Sequence, residues 1–458
     1  MSDMIFDLIV LGGGPAGYCG AERAAAAGLK VKLIEKRALG GVCLNEGCIP
    51  SKTLLNSAKA LHYAHDSKKF GITAENAKAD AAAVISRKNV VVKKLVAGVG
   101  MQMKAHHVDV TYAQGKLLGK QQGAFAVQAG EETFLSRRLL ICTGSEAIVP
   151  NIPGVFDMRN AGMVWTSREA LEAKEIPASL TVIGGGVIGL EMASYFSGMG
   201  AKVTVIEMLP SIGGPIEAEL AAALLENLQK DGITFELGAR VTRVGTDGVT
   251  FERDGKATTI AADKVLLSIG RRAVTADMGF ETINLNMERG AIVTDDSGCT
   301  NVPDVYAAGD VNGRFMLAHV GYREAECAVS TMLGQPQRVD YDAIPSVIYT
   351  SPEIASVGLT AEIAKERGHE FDTVELPMSF AGRYLAETDG RAKSFLRMHV
   401  EKGSRRILGV HMISPYASEI IYGATMMVAL RLPVEALRQF VYPHPTVSEI
   451  LREALWAV

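Results

Sequence analysis

The sequence lacks several features that would define its class at once. It has no run of eighteen or more apolar residues, so no membrane span is predicted. It has little excess of either charge, with 47 Lys and Arg against 51 Asp and Glu, and this balance gives no electrostatic footprint for nucleic acid. The N-terminus carries neither a basic region nor a small-residue cleavage site, so we expect no targeting segment and a cytoplasmic location.

Cysteine is also scarce. Six cysteines in 458 residues are too few for a secreted disulfide scaffold, and two close together are too few for a closed zinc site, so no metal site is expected. Only Cys43 and Cys48 lie near each other in the chain. The others are expected to be small buried hydrophobes or inert thiols, namely Cys19, Cys142, Cys299 and Cys327.

What the sequence does contain is a repeat. The segments FDLIVLGGGPAGYCGAERAAAAGLKVKLIEK and SLTVIGGGVIGLEMASYFSGMGAKVTVIEM each read as strand, glycine turn, helix, second strand and acidic residue. The same 23 positions separate Gly12 from Glu35 and Gly184 from Glu207. This context indicates two dinucleotide-binding units rather than glycine-rich turns in ordinary βαβ units, which is the alternative interpretation.

The motif glycines have separate predicted roles. Glycine is needed where a turn is tight, where a pyrophosphate approaches the backbone, and where a helix packs closely on a strand. The helix N-terminus that follows offers N–H groups to that pyrophosphate. Gly12 and Gly184 are predicted to form the tight turns. Gly14 and Gly186 are predicted to let the pyrophosphate approach the backbone. Gly17 and Gly189 are predicted to let the helix pack on the strand.

Glu35 and Glu207 end the second strands. A carboxylate there accepts hydrogen bonds from ribose hydroxyls and repels a 2′-phosphate, so the second site should prefer NAD to NADP and the first suits FAD. Each unit then ends in a later apolar strand closed by glycine, at Thr143-Gly144 and at Gly270. The second unit is therefore expected to be inserted into the first.

Another strand, VPDVYAAGD, runs into a Gly-Asp turn. Asp310 there could hold a ribityl or ribose hydroxyl, or could be an ordinary turn residue. From the residues alone the two interpretations are about equal.

The segment GGVCLNEGCIPSKTLL predicts redox chemistry. Cys43 and Cys48 are five positions apart, too far for a disulfide in an undistorted helix, so the chain must bend there, and Gly47 permits the bend. Pro50 suits the first turn of the helix that follows. Cys48 should then lie near a helix N-terminus, where a thiolate is stabilised. Incidental thiols are the weaker alternative.

The segment HPTVSE near the C-terminus allows two interpretations. His444 between two prolines, with Glu449 five residues later, has the make-up of a general base oriented by a carboxylate. The same residues form a capping box, with Thr446 as the N-cap of the final helix and Glu449 reaching back to it. Both roles are compatible if the two oxygens of Glu449 act differently.

With these residues in view, the sequence resembles the pyridine nucleotide–disulfide oxidoreductases, and among them the dihydrolipoamide dehydrogenases. The most specific match is GGVCLNEGCIPSK at 40–52. The other matches are CTGS at 142–145, GGGVIGLE at 184–191, AAGD at 307–310, LAHVGYREAE at 317–326, YTSPEIASVGLT at 349–360 and HPTVSE at 444–449.

The resemblance implies an α/β fold with two Rossmann-like domains and an α+β C-terminal dimerisation domain. The implied domains are an FAD domain at 1–150, an NAD domain at 151–271, a central domain at 272–340 that completes the FAD site, and an interface domain at 341–458. It further implies a homodimer whose active site is shared between subunits.

The implied reaction is oxidation of a dihydrolipoyl group, carried on a lipoyl domain or an H-protein, with reduction of NAD to NADH. Cys43 is the implied interchange thiol, Cys48 the thiol facing the flavin, and His444 with Glu449 the base from the partner chain. Lys52 matches the lysine beside the flavin, and Glu191 its ion-pair partner. The remaining cofactor-lining positions carried over are Gly115, Thr143, Gly144, Ser145, Asp310 and Ala318.

Some positions depart from the family pattern. Tyr442 replaces a frequent histidine, and Arg271-Arg272-Ala273 lacks the usual Pro-Asn continuation, which puts only a loop in doubt. Two alternatives remain open. One is a disulfide reductase that runs the reaction in the opposite direction with NADH. The other is a flavoprotein kept as a redox-sensing or scaffolding subunit.

Overall fold

A computed structural model of the chain describes residues 5–458, which form two compact units. The first unit contains the described residues up to Thr53, together with Ile85–Ile148 and Gly270–Val339. The second contains Leu54–Val84, Val149–Ile269 and Asp340–Val458. The chain leaves the first unit at Ile148 and returns at Gly270, as the predicted insertion requires. The four-domain boundaries remain a prediction.

The first unit is built on a seven-stranded sheet. Its central strands are nearly continuous apolar runs because both faces are covered, and Leu8, Ile9 and Val10 are completely buried. The parallel strands, in spatial order, are Asp109–Tyr112, Val31–Glu35, Ile5–Leu11 and Glu132–Ile141, with Val305–Ala307 also parallel to the last. Antiparallel strands Ala124–Ala129 and Gly115–Gln121 continue the sheet.

Helices and two small ribbons complete this unit. The helices are Pro15–Ala26, Gly41–Glu46, Cys48–His65, Ala81–Ala105 and Ala318–Met332, with 3₁₀ turns Phe280–Ile283 and Asp310–Asn312. The ribbons pair Ser145–Ala147 with Arg271–Ala273 and Met287–Glu288 with Ala291–Ile292. Helices Cys48–His65 and Ala81–Ala105 each run across the boundary between the units.

The second unit contains another parallel sheet, which confirms the second Rossmann-like fold. Its strands, in spatial order, are Thr234–Glu236, Lys202–Ile206, Ser179–Ile183, Lys264–Leu267 and Val164–Trp165. Its helices are Val155–Asn160, Ser167–Ala170, Val187–Gly198 and Ala218–Lys230, and Ser67–Phe70 is a 3₁₀ turn. An antiparallel sheet follows, made of Arg240–Gly245, Gly248–Arg253 and Lys256–Ile260.

The C-terminal part of the second unit is α+β, as expected. Its antiparallel strands, in spatial order, are Ser346–Ile348, Glu353–Gly358, Ile407–Ser414, Phe395–Glu401 and Phe371–Pro377. Its helices are Ala361–Glu366, Gly382–Glu387, Ala417–Leu430, Val434–Leu437 and Glu449–Trp456, with 3₁₀ turns Tyr341–Ala343 and Met378–Phe380. The predicted fold class is therefore confirmed. Across residues 5–458, no helix has both the length and the apolarity to cross a bilayer.

Candidate active site

The first glycine turn has the geometry that its sequence predicts. Gly12 has a φ of 100°, and a Cβ there would overlap the carbonyl oxygen of Cys142. A Cβ on Gly17 would overlap the carbonyl oxygen of Gly12, so the third glycine allows the close packing of helix on strand. At Gly14 the nearest atom to such a Cβ is the Gly41 Cα, at 3.8 Å. The backbone at Gly14 is therefore open to a ligand, as a pyrophosphate requires.

Glu35 ties this turn to the end of the second strand. Its Oε2 accepts the Gly13 N–H at 2.7 Å, and its Oε1 accepts the Arg37 N–H at 2.7 Å. A cavity of about 550 Å³ opens beside it, within the volume range of ligand pockets. Four predicted residues line this cavity: Gly12, Glu35, Gly115 and Thr143. The first site therefore has a cavity and a backbone approach that fit a dinucleotide.

One wall of this cavity comes from the segment that the resemblance implied would complete the FAD site, at 272–340. Residues 272–278 and 289–290 line the cavity, although no individual residue among them was predicted as a site residue. The Thr143 hydroxyl donates to the Val274 carbonyl at 2.6 Å, and the Val274 N–H donates to the Gly144 carbonyl at 2.9 Å. These bonds join residues more than a hundred positions apart, so no local signal could have revealed them.

A second group of predicted residues meets around Ser145, outside the lining of the cavity. The Ser145 hydroxyl hydrogen-bonds the Asp310 carboxylate. Arg271, which was not among the predicted residues, donates from Nε to the Ser145 hydroxyl at 2.7 Å and from Nη2 to its carbonyl at 2.8 Å. Ala318 begins the helix Ala318–Met332.

The cysteine pair lies at a break between two helices. Gly41–Glu46 ends at Gly47 and Cys48–His65 begins directly after it, which confirms the predicted bend. Glycine is needed there because a Cβ on Gly47 would lie 2.9 Å from the Val42 carbonyl oxygen. Pro50 falls in the first turn of the second helix, as predicted.

The two sulfurs are thiols in hydrogen-bond contact. This bond, and then burial, raises the pKa of Cys43, whereas the charge of Lys52 opposes the rise. One thiol of the pair therefore ionises at the expense of the other. Among the other cysteines, Cys19, Cys142 and Cys327 are buried, as expected, and Cys299 is partly exposed.

The second glycine turn repeats the first within the second unit. Gly184 has a φ of 106°, a Cβ on Gly189 would overlap the Gly184 carbonyl oxygen, and no atom lies within 4 Å of a Cβ on Gly186. Gly270 also has a positive φ, of 116°. The approach to Gly186 is therefore open, which fits a second dinucleotide.

Glu207 has the same role in this turn that Glu35 has in the first. It accepts the Gly185 N–H at 2.6 Å and the Leu209 N–H at 2.8 Å. Glu207 lies directly after the strand Lys202–Ile206, whereas the sequence predicted that it would be the last residue of that strand. Glu191, with 3% of its surface exposed, accepts the Tyr349 N–H at 3.2 Å. Its pairing with Lys52 remains a prediction.

Glu449 uses its two oxygens for two different partners. Oε1 accepts from His444 Nδ1 at 2.9 Å, and Oε2 accepts the Thr446 N–H at 2.8 Å. The Thr446 N–H, and then His444, lower the pKa of Glu449, so it is held as a carboxylate. The two oxygens of Glu449 therefore act differently, one on His444 and one on the Thr446 N–H.

The predicted N-cap was wrong. The final helix begins at Glu449 with Ser448 in the N-cap position, and the Thr446 hydroxyl donates to the Pro443 carbonyl instead. The helix therefore begins two residues later than the capping pattern predicts.

Comparison with known proteins places these features in one family. Residues 6–325 match the family described as pyridine nucleotide-disulphide oxidoreductase, and residues 344–455 match its dimerisation domain. A dihydrolipoyl dehydrogenase of Rhizobium etli is 35% identical over 98% of this chain and 97% of its own length. One from Bacillus subtilis is 37% identical, over 99% of this chain and 98% of its own.

A solved structure shares the whole fold. The HOCl-induced flavoprotein disulfide reductase RclA from Escherichia coli aligns with a TM-score of 0.86 at 27% identity, covering 99% of this chain and 100% of that one. The motifs, the two open glycine turns and these matches agree over nearly the full length. The chain belongs to the pyridine nucleotide–disulphide oxidoreductase family.

Proposed function

We propose that the chain is a dihydrolipoyl dehydrogenase, which oxidises dihydrolipoyl groups and reduces NAD, with FAD as its bound cofactor. The observation that carries this proposal is the pair of contacting thiols at the Gly47 break, in the same compact unit as the first dinucleotide cavity. Its full-length likeness to two dihydrolipoyl dehydrogenases supports the choice of substrate.

The cysteine pair would exchange one disulfide for another. A thiolate of the dihydrolipoyl group attacks the Cys43 sulfur of the oxidised pair and displaces Cys48 as a thiolate. The second sulfur of the substrate then attacks the mixed disulfide, releasing cyclic lipoyl disulfide and the Cys43 thiolate. Two electrons remain on the pair. Bound FAD supplies the two-electron chemistry that links the reduced pair to NAD.

His444 would take the proton of the attacking thiol. A carboxylate can only accept, so His444 Nδ1 carries the hydrogen that is donated to Glu449, which leaves Nε2 as the basic atom. The His444 side chain is 79% exposed, so a substrate can reach it. We propose that it serves the cysteine pair of the partner subunit in a homodimer.

The cofactors would be held by the two glycine turns. For FAD we propose Gly12, Gly14, Gly17, Glu35, Lys52, Gly115, Thr143, Gly144, Ser145, Asp310 and Ala318. For NAD we propose Gly184, Gly186, Gly189, Glu191, Glu207 and Gly270. The proposed physiological partner is a lipoyl domain or an H-protein, and the proposed location is the cytoplasm.

The experiment is a substrate panel on the purified protein. Reduction of NAD is followed with dihydrolipoamide, with reduced glutathione as the thiol control and NADP as the nucleotide control. We expect turnover only with dihydrolipoamide and NAD. A flavin-containing protein that NADH reduces but dihydrolipoamide does not would reject the lipoyl assignment.

A second candidate is reduction of a disulfide by NADH, and the likeness to the flavoprotein disulfide reductase RclA favours it. The two functions share every site described. They separate by substrate: the second candidate requires oxidation of NADH by a disulfide other than lipoamide at a kcat/KM above that for lipoamide.

A further inference from the structure

Glu324 is a buried carboxylate that none of the proposed steps uses. It lies in the helix Ala318–Met332, and only 1% of its surface is exposed. Its Oε2 accepts the Gly309 N–H at 2.6 Å, a buried bond between residues fifteen positions apart. A hydrogen bond to a charged acceptor is stronger than one between neutral groups, particularly away from water.

Gly309 is held in a conformation that side chains disfavour. Its φ is 79° and its ψ is −161°, a region that is open mainly to glycine. A Cβ there would lie 3.1 Å from the Ala16 Cβ, on the helix of the first glycine turn. Gly309 is therefore fixed in two ways: Ala16 packs against its Cα, and the Glu324 carboxylate accepts its N–H, which belongs to the peptide that joins Ala308 to Gly309.

The conformation of Gly309 sets the position of Asp310. Asp310 follows Gly309 directly and begins the 3₁₀ turn Asp310–Asn312. Its carboxylate meets the Ser145 hydroxyl, which Arg271 holds in turn at 2.7 Å. A change in the backbone conformation of Gly309 would move the Asp310 carboxylate relative to Ser145 and Arg271.

We infer that Glu324 is a positioning residue for the flavin site, and that it acts by fixing the backbone of Gly309 so that the Asp310 carboxylate stays against Ser145, which is also proposed to hold the flavin. This inference depends on FAD being the bound cofactor and not on the identity of the thiol substrate. A failed dihydrolipoamide assay would reject the proposed function without changing the outcome expected here.

The test is the rate at which flavin leaves the holoenzyme. Release is followed by flavin fluorescence at a fixed temperature below the unfolding transition. Glu324→Ala removes the acceptor, and release should be about tenfold faster, the size expected for losing a hydrogen bond to a charged group. Glu324→Gln keeps an oxygen that can accept the Gly309 N–H, and should stay within about twofold of the wild type. Should Glu324→Ala fail to accumulate, Glu324→Met fills the same space without an acceptor of comparable strength.

A matched control lies on the same helix. Glu326 is a partly exposed acid two residues further on that pairs with Arg23 and Arg323, and Glu326→Ala should leave flavin release unchanged. The decisive comparison repeats Glu324→Ala in an Asp310→Asn background. If Glu324 acts through Asp310, the acceleration should largely disappear there.

Two results would overturn the inference. One is unchanged flavin release in Glu324→Ala. The other is acceleration by the same factor whether or not Asp310 is intact, because the carboxylate would then act on the fold in general and not through Asp310.

Discussion

Glu449 shows how one side chain serves both a reaction and a fold. One of its oxygens orients His444 and the other holds the N–H of Thr446. Replacing Glu449 therefore removes both contacts at once, and the effects on catalysis and on stability have to be measured separately. The first cause of its lowered pKa is the Thr446 N–H, so this bond favours the carboxylate form that the contact with His444 also needs.

We predict that His444→Ala lowers kcat for dihydrolipoamide by ~10²–10⁴-fold, the usual contribution of a general base. The Tm should change little, because the imidazole is largely exposed. Steady-state kinetics and thermal unfolding on the same preparation check this. A kcat within a factor of two of the wild type would remove His444 from the reaction.

We predict that Glu449→Gln has a milder effect on kcat than His444→Ala and that Glu449→Ala also lowers the Tm, since only alanine removes the acceptor for Thr446. The Tm difference between the two Glu449 variants measures the bond to the Thr446 N–H, and their shared loss of kcat measures the contact with His444. Equal Tm values would show that the Thr446 bond contributes nothing to stability.

Among single residues, the sequence predicted those that belong to the repeat or to a motif. The roles of Gly12 and Gly17 followed from spacing, and the structure shows the overlaps that exclude a side chain there. Arg271 was missed because its partner Ser145 is far away in the chain. Glu324 lies in the matched segment 317–326, but nothing in that segment indicates that its carboxylate reaches the Gly309 N–H.

Among the elements, the break at Gly47 is the feature on which the cysteine pair depends. The sequence predicted it from the need to bring two cysteines five positions apart into contact. The sequence did not predict that the helix before the break is only six residues long, Gly41–Glu46.

We predict that Gly47→Ala lowers stability by about 1–3 kcal/mol, because its Cβ would lie 2.9 Å from the Val42 carbonyl oxygen. Gly98→Ala is the matched control. It lies inside the helix Ala81–Ala105 with no atom within 4 Å of its Cβ, and should stabilise by about 0.5–1 kcal/mol. Denaturant unfolding of both variants measures whether each is more or less stable than the wild type. A neutral or stabilising Gly47→Ala would contradict the close approach.

We expect the two glycine turns to bind different cofactors, so a substitution in one turn should affect only the cofactor of that turn. We predict that Glu207→Ala raises the KM for NAD by roughly tenfold and narrows the preference over NADP, because it removes the ribose acceptor and frees the N–H groups of Gly185 and Leu209. Glu35→Ala, its counterpart in the first turn, should speed flavin loss and leave the KM for NAD unchanged when flavin is added in excess. An unchanged KM for NAD in Glu207→Ala would contradict the assignment of the second turn.

For the molecule as a whole, one buried ionic cluster in the second unit links residues from distant parts of the chain. Glu217 accepts the Ala361 N–H at 2.7 Å and bonds His399 Nε2 at 2.8 Å, and Arg397 Nε lies 3.0 Å from its other oxygen. His411 donates from Nε2 to the Leu359 carbonyl at 3.0 Å. These residues span almost two hundred positions, so no local pattern in the sequence indicates the cluster.

This cluster predicts acid lability. Burial lowers the pKa of His411 to about 4 from an ordinary value of 6.5, so it is neutral when folded and takes up a proton when unfolded. Stability should fall by about 3 kcal/mol as the pH drops from 6.5 to 4. Burial opposes ionisation of Glu217, but the bonds from His399 and Ala361 outweigh it and bring its pKa to about 2, which adds a further loss between pH 4.5 and 2.

The check is the Tm between pH 7.5 and 4. His411→Phe should be less dependent on pH over 6.5 to 4 than the wild type, whatever its stability at neutral pH, whereas His107→Gln, at an exposed position, should keep the wild-type slope. Parallel curves for wild type and His411→Phe would contradict the cluster as the source.

Cys43 and Cys48 are proposed to carry electrons from a dihydrolipoyl group to NAD. The test is the rate of NAD reduction by dihydrolipoamide in the wild type, in Cys43→Ser and Cys48→Ser, and in Cys327→Ser as a control at a buried cysteine outside the pair. We expect turnover in the wild type and in Cys327→Ser, and its loss in both pair variants with flavin still bound. Turnover with dihydrolipoamide in either pair variant would show that the pair does not carry these electrons.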